Sequence, residues 1–223
     1  MPDSSFLDAT RGSYDVLASS YLDRLDPDLD LPPLSQALHR TFAELVKAQG
    51  GGPVADVGCG PGWVTDILHG LGLDVFGIDL SPGMVAEARR TYPGLRFEVG
   101  SMLSLDLEDA TLGGLLASYS IIHIPRDRLP EVFAEFHRVL APGGQLMLTF
   151  QVGDESLHFD EAWGKSVSLD FYRQQPSDVV GLLREAGFEV TAEIVRHPEP
   201  TEKSPHGCVM ARKPLPGGPG EAA

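Results

Sequence analysis

The sequence predicts an α/β fold built on a doubly wound, mostly parallel sheet, and three observations carry that prediction. Short β-rich runs alternate with amphipathic helical stretches through residues 54–150, the pattern of parallel strands joined by right-handed crossovers. The first run ends in a glycine-rich turn, Gly58-Cys59-Gly60-Pro61-Gly62, that opens directly into a helix. Two closing β-rich runs are joined by the short link His197–Pro205, which suits an antiparallel pair rather than a crossover.

In chain order, Tyr14, Leu17, Ala18, Tyr21 and Leu25, then Leu34, Leu38, Phe42 and Leu45, recur at helical spacing up to about Lys47. Pro32-Pro33 divides this stretch into two helices, and Gly50-Gly51-Gly52-Pro53 stops it. Strands follow over Val54–Val57, Asp74–Ile78, Arg96–Val99, Gly114–Tyr119 and Gln145–Phe150. The helices between them run roughly over Gly62–Leu71, Pro82–Tyr92 and Arg126–Leu140. Ala141-Pro142-Gly143-Gly144 reads as a helix stop and turn before the fifth strand. The more polar stretch 151–175 reads as an excursion over the sheet edge with room for one short strand. A helix over Ser177–Ala186 is expected to be capped by Ser177 and stopped by Gly187. Strands Glu189–Val195 and His206–Arg212 close the domain, and the Pro/Gly-rich tail 214–223 is expected to be disordered. The chain thus reads as one domain over 1–213: a helical lid over 1–49, a core over 50–150, the excursion over 151–175 and a closing helix and strand pair over 176–213.

Composition narrows the function. With 17 Lys+Arg against 32 Asp+Glu, the 223 residues carry a formal charge of −15. Nucleic-acid binding draws most of its affinity from basic side chains that release counterions, and anionic membranes attract the same side chains, so neither is expected as a partner. Cys59 and Cys208 form no CxxC pair, and the sequence offers no apolar run long enough for a span or a signal peptide. A cytoplasmic protein, monomeric or homodimeric, is expected.

The chemistry concentrates at VADVGCGPGW, residues 54–63. Glycines there let the backbone turn tightly and meet a ligand without an intervening Cβ. A dinucleotide fingerprint places a third glycine where this chain has Trp63, and a phosphate loop needs Lys-Ser/Thr after its glycines. The second strand ends in VFGIDL, so Asp79 sits at its tip, 23 residues after Asp56. A carboxylate so placed accepts both hydroxyls of a ribose. A nucleoside is implied and a pyrophosphate is not.

Asp56, Gly58, Gly60 and Gly62, followed by Asp79 in GIDLSPGM, HRVLAPGG over 137–144 and LLREAGF over 182–188, resemble the class I S-adenosylmethionine-dependent methyltransferases of small-molecule type. The resemblance covers roughly residues 50–213. It implies a Rossmann-like seven-stranded sheet in the order 3-2-1-4-5-7-6, with strand 7 antiparallel and helices on both faces. It implies S-adenosyl-L-methionine as cofactor and S-adenosyl-L-homocysteine as product. Gly58 and Gly60 would face the methionine part through their backbone, Asp56 would orient it, and Asp79 would take the ribose hydroxyls. Met84 would pack on the adenine. Where the family often has Gly-Asp after the third strand, this chain has Gly100-Ser101-Met102, so Ser101 or the Met102 backbone would meet the adenine amino group.

The fourth strand runs into Ser118-Tyr119-Ser120-Ile121-Ile122-His123 and lacks the Asn/Asp-Pro-Pro-aromatic motif of the methyltransferases acting on DNA bases and glutamine amides. In this fold the tip of that strand borders the sulfonium, which puts Tyr119 at the cofactor. His123, at the mouth of the pocket, is the candidate general base or substrate-orienting group. Tyr14 and Tyr21 lie on one face of the first helix, where similar members bring a tyrosine to the sulfonium. The alternative is that both are only core anchors for that helix. Arg11 is a candidate for the cofactor carboxylate, and Gln151 is the acceptor-side residue of interest. His158-Phe159-Asp160-Glu161 matches no standard metal spacing, and no metal is expected. The function expected is methyl transfer to oxygen or nitrogen of a small-molecule acceptor. The alternatives are an NAD-type dehydrogenase, which Trp63 argues against, and a non-catalytic protein that binds S-adenosylmethionine.

Overall fold

The computed structural model describes residues 5–24, 32–200 and 202–217. Helices α1 (Ser5–Arg24) and α2 (Pro33–Ala48) precede β1 (Val54–Val57). The chain continues through α3 (Trp63–Gly70), β2 (Val75–Asp79), α4 (Pro82–Thr91), β3 (Arg96–Val99), β4 (Leu112–Ser118), α5 (Leu129–Val139) and β5 (Leu140–Gln151). A hairpin of β6 (Ser156–Ala162) and β7 (Lys165–Tyr172) comes next, then α6 (Pro176–Glu185), β8 (Glu189–Arg196) and β9 (His206–Arg212). Seven strands form one sheet in the order β3-β2-β1-β4-β5-β9-β8, and the hairpin stands apart. With the hairpin left out of the numbering, this is the expected 3-2-1-4-5-7-6. The pairs β3–β2, β2–β1, β1–β4 and β4–β5 are parallel, whereas β9 runs antiparallel to both β5 and β8.

Strand alternation divides the core between the two sheet faces. Val54, Leu116 and Met147 pack with Phe42 and Val46 of α2 and Leu68 of α3. Their neighbours Ala55, Leu115, Leu146 and Leu148 pack with Phe133 and Phe136 of α5 and Val179 and Leu183 of α6.

The structure corrects three local expectations. The stretch 151–175 holds two strands rather than one, joined by the two-residue turn Trp163-Gly164, with φ of 55° and 76°. Both values are positive, as a tight hairpin turn demands, but a tryptophan seldom adopts that conformation. Leu140 to Gln151 is one strand, whose pairing with β4 slips between Leu112 and Gly114 and so absorbs the Pro-Gly-Gly segment. Helix α6 begins at Pro176 after Gln175, so Ser177 lies inside the first turn and is no cap. The predicted break at Pro32-Pro33 agrees with the start of α2. Residues 25–31, and 218–223 of the tail, lie outside the described residues.

Helix α1 lies over the C-terminal edge of the sheet and is fastened at both sides. Asp15 Oδ1 accepts from Ser81 Oγ at 2.6 Å and from the Gly83 amide at 2.8 Å, at the start of α4. Ser13 Oγ accepts from the Ser168 amide at 2.8 Å, and Lys165 Nζ donates to the Val16 carbonyl at 2.8 Å. Leu17 packs on Val167 and Leu169 of β7. Replacing Asp15 with alanine removes two hydrogen bonds to a charged acceptor, so opening of α1 becomes easier by roughly 2 kcal/mol. The expected result is faster amide exchange across residues 5–24 with little change in exchange of β1, β4 and β5.

Candidate functional site

The C-terminal tips of β1, β2 and β4, covered by α1 and the start of α2, enclose a cavity of about 280 Å³. Its floor is the glycine loop. Gly58, at φ 77°, is pressed against the segment after β4 so closely that a Cβ there would sit 2.2 Å from Ser120 Cβ. Ser120 Oγ donates to the Val57 carbonyl at 2.7 Å and holds the loop against that segment. At Gly60, also left-handed, an added Cβ would meet nothing within 4 Å, so this backbone is open to the cavity.

Two buried carboxylates frame the loop. Asp79 accepts from the Gly60 amide through Oδ2 and from the Ser81 amide through Oδ1, both at 2.8 Å. Each oxygen keeps acceptor capacity. Burial pushes its pKa up to about 6, the Ser81 and Gly60 amides pull against that, and the Asp15 charge adds to the rise. Asp56 Oδ2 accepts from Thr65 Oγ1 at 2.7 Å, but its Oδ1 is buried without a partner. Burial raises Asp56 to about 7, Thr65 opposes this, and the Asp79 charge reinforces it. His39 also lines the cavity, two turns before Val46 on α2. It is 95% buried, and neither ring nitrogen makes a well-formed hydrogen bond, although the Ser35 carbonyl lies near enough to act on the ring. Burial takes its pKa down to about 4, against a weak upward pull from the Ser35 carbonyl.

Such unpartnered groups are costly unless a ligand completes them. The donor set on the wall is carboxylate at Asp56 and Asp79, imidazole at His39 and bare backbone at Gly60. That set suits a ligand with an ammonium, a carboxylate and vicinal hydroxyls, and S-adenosylmethionine has all three.

The opposite wall couples α1 to the segment after β4. Tyr14 Oη and His123 Nε2 are 2.6 Å apart, and His123 Nδ1 lies 2.8 Å from the Asp170 carbonyl. A carbonyl only accepts, so Nδ1 carries the proton and the Tyr14 hydroxyl donates to Nε2. His123 is 8% exposed, and burial lowers its pKa to about 4. Burial raises the Tyr14 hydroxyl well above its ordinary value. Tyr21 stacks at a tilt on Tyr14, and Phe171 meets His123 edge-on.

Eleven of the residues singled out from sequence come together here. Tyr14, Tyr21, Asp56, Gly58, Gly60, Asp79, Met84, Ser101, Met102, Tyr119 and His123 line one cavity. Arg11 is turned to Asp8 at 3.3 Å, outside the lining, and Gln151 sits opposite His206 in the β5–β9 ladder. His158 lies on the outer hairpin between Asp170 at 2.7 Å and Asp160 at 3.2 Å. Sequence reasoning missed His39, Trp63 and the hydroxyl pair Ser118–Thr149 at 3.0 Å, all on the lining. His39 follows the apolar spacing of Leu38 and Phe42 closely enough to pass for part of the core.

The raised carboxylates make the ligand-free protein sensitive to pH. A folded pKa of about 7 for Asp56, against 3.8 ordinarily, means the fold holds a proton the unfolded chain has released. That stability is complete below about pH 4 and is lost as pH rises through 7. Asp56→Asn removes the charge at similar volume. At pH 8 it is expected to stabilise the ligand-free protein by on the order of a few kcal/mol. Thermal denaturation reads this as a Tm roughly 5 °C higher at pH 8, with the gap closing by pH 4.

Residues 54–144 match the family model described as a methyltransferase domain. Over 168 residues the chain is 33% identical to 24-methylenesterol C-methyltransferase 2 of Oryza sativa subsp. japonica, covering 68% of this chain and 45% of that protein. The chain spans between about a quarter and just over half the length of the curated relatives it matches. Magnesium protoporphyrin IX methyltransferase from Synechocystis PCC 6803, solved with bound S-adenosylmethionine, aligns with a TM-score of 0.70 at 16% identity, over 96% of this chain and 99% of that one. The [4+2]-cyclase SpnF aligns equally well, with a TM-score of 0.70 at 17% identity over 94% and 97% of the chains, so likeness at this level speaks for the fold alone. Sequence match, strand order and glycine loop converge: residues 54–144 match a methyltransferase domain, set in the sheet order of the class I S-adenosylmethionine-dependent methyltransferases that the chain resembles.

Proposed function

We propose that this chain transfers the methyl group of S-adenosylmethionine to an oxygen or nitrogen of a small-molecule acceptor. The observation that carries the reading is the pair of buried carboxylates at the β1 and β2 tips, Asp56 with an unpartnered oxygen and Asp79 clamped to the glycine loop. When bound, the cofactor supplies an electrophilic methyl on a sulfonium and leaves as S-adenosylhomocysteine. In this reading Asp79 takes the ribose hydroxyls, while Met84, Ser101 and Met102 flank the adenine. Gly58 and Gly60 present bare backbone to the methionyl chain. Asp56 Oδ1 accepts from its ammonium and His39 donates to its carboxylate.

Tyr14 and His123 act on the acceptor side as one unit. Because His123 receives the Tyr14 proton and is itself fixed by the Asp170 carbonyl, it aims the tyrosine oxygen into the cavity. Holding acceptor and methyl in line is worth up to roughly 7–11 kcal/mol, and this pair together with Tyr21 and Tyr119 shapes the space for it. The charge of −15 supports a small neutral or cationic acceptor over a polyanion. Among the described residues no helix is long and apolar enough to cross a membrane.

Calorimetry with S-adenosylmethionine tests the reading. Wild-type protein is expected to bind, and Asp79→Ala to weaken binding by on the order of 10–100-fold, as loss of a charged hydrogen bond requires. Unchanged affinity would remove Asp79 from the ribose, and tighter binding of NAD would favour a dehydrogenase. Transfer of labelled methyl from the cofactor into a metabolite extract then identifies the acceptor.

The amino-acid end has its own test, since 5′-methylthioadenosine lacks the ammonium and carboxylate of S-adenosylhomocysteine. His39→Gln is expected to weaken S-adenosylhomocysteine by roughly tenfold while leaving 5′-methylthioadenosine within a factor of about two. Equal losses for both ligands would place His39 away from that end.

A further inference from the structure

A second tyrosine–histidine pair borders the same cavity, and it is backed differently from the first. Tyr119 lies on the lining just past the tip of β4, with φ of 49°. A non-glycine residue held in the left-handed region stores strain, and such residues cluster at functional sites. Its hydroxyl lies 2.5 Å from His206 Nδ1, on β9, and the two rings meet edge-on at 5.3 Å. His206 Nε2 is 3.3 Å from Glu202 Oε1. Glu202 is gripped by both guanidinium arms of Arg196, at 2.6 and 2.7 Å, which holds it ionised.

These partners favour one arrangement of protons along the chain. The ionised Glu202 carboxylate, 3.3 Å from Nε2, favours a proton on that nitrogen and leaves Nδ1 as the lone pair. The Tyr119 hydroxyl is therefore the donor to His206. Burial raises the pKa of this hydroxyl to about 12 and the Arg196 guanidinium, within hydrogen-bonding reach of its oxygen, opposes that rise; the oxygen keeps one lone pair for an acceptor's O–H or N–H. The contrast with His123 decides between the two histidines. His123 Nδ1 bonds a neutral carbonyl and feels the Asp170 carboxylate only through space, whereas His206 Nε2 lies 3.3 Å from the Glu202 carboxylate, which stabilises the imidazolium as it forms.

We propose that Tyr119, His206 and Glu202 form a proton-accepting relay on the acceptor side of the cavity, with His206 rather than His123 holding the proton released on methyl transfer. This rests on the methyltransferase reading above. As the acceptor oxygen or nitrogen bonds to the methyl carbon, the carbon–sulfur bond breaks and its electron pair stays on sulfur. The acceptor's proton passes to the Tyr119 oxygen while the Tyr119 proton moves to His206 Nδ1. His206, then cationic and paired with Glu202, later gives up a proton to water and Tyr119 is restored. Tyr119 touches the acceptor in this scheme, and His206 and Glu202 position and receive the proton behind it. The groups facing His206 are Tyr119, Glu202 and Arg196. Burial takes the His206 pKa below its ordinary value; Glu202 pulls it back up, and Arg196 adds to the lowering.

The test is a nitrogen-15 NMR titration of the histidines in the full-length protein, with and without S-adenosylhomocysteine. His206 is expected in the Nε2–H tautomer, titrating above His123, which is expected in the Nδ1–H tautomer. Tyr119→Phe is expected to raise the His206 pKa by removing the donor to its neutral form, and Glu202→Gln to lower it. His206 found in the Nδ1–H tautomer, titrating with or below His123, or unmoved by either substitution overturns the proposal. His206→Asn serves as the transfer control. It is expected to bind S-adenosylhomocysteine within a factor of about three of wild type and to lower labelled methyl transfer into a metabolite extract by roughly tenfold or more. Equal transfer by His206→Asn and wild type overturns the relay. A wild-type chain that fails to bind S-adenosylhomocysteine defeats the methyltransferase reading instead, and the titration still decides which histidine takes the proton.

Discussion

The site is organised around one buried carboxylate. Asp79 holds the Gly60 amide with one oxygen and the Ser81 amide with the other, so the turn after β1 and the turn after β2 are tied together at a single residue. Ser81 in turn receives the Met84 amide and caps α4, and it donates to Asp15 of α1. The path from glycine loop to lid is thus a run of hydrogen bonds with a carboxylate at each end. Removing the Asp79 charge would release the loop, the start of α4 and the seat of α1 together. Burial opposes the ionised form, so the arrangement persists because two backbone amides are aimed at the carboxylate and would otherwise lack that acceptor.

What could be read from sequence follows from how local the signals are. The glycine loop, Asp79 at a strand tip and the closing strand pair each depend on a few adjacent residues. The cavity-lining set of Asp56, Gly58, Gly60, Asp79 and Met84 followed from them. Tyr14 and His123, 109 residues apart, were each legible as candidates, but the bond between them was not, because it depends on how α1 seats. The hairpin was hidden by Trp163, whose left-handed turn carries none of the Asn-Gly or Asp-Gly chemistry that announces such turns. His39 was hidden by its helical register among Leu38 and Phe42. His206 and Glu202 sit on and beside a closing strand that reads as plain β structure, and only the β5–β9 pairing brings His206 to Tyr119, which lines the cavity. The Ser177 cap failed because proline at the first helical position lets Gln175 begin the helix without a side-chain bond.

The formal charge of −15 gains local meaning at the cavity. Asp15 raises Asp79, Asp79 raises Asp56, and the Asp79 charge also pushes up Tyr14, Tyr21 and Cys59. These carboxylates are near enough to repel one another, in a setting where burial strengthens the effect. A cation entering there relieves that repulsion, and a neutral ligand of the same shape does not. Under the proposed function the sulfonium is that cation and the thioether left after transfer is not, so the acidic wall favours the reactant over the product at equal contact. The same field explains why proton acceptance belongs at the rim. A proton released among the carboxylates could be trapped by Asp56 or Asp79, each already near neutrality, whereas His206 lies beyond them, against Glu202 and Arg196.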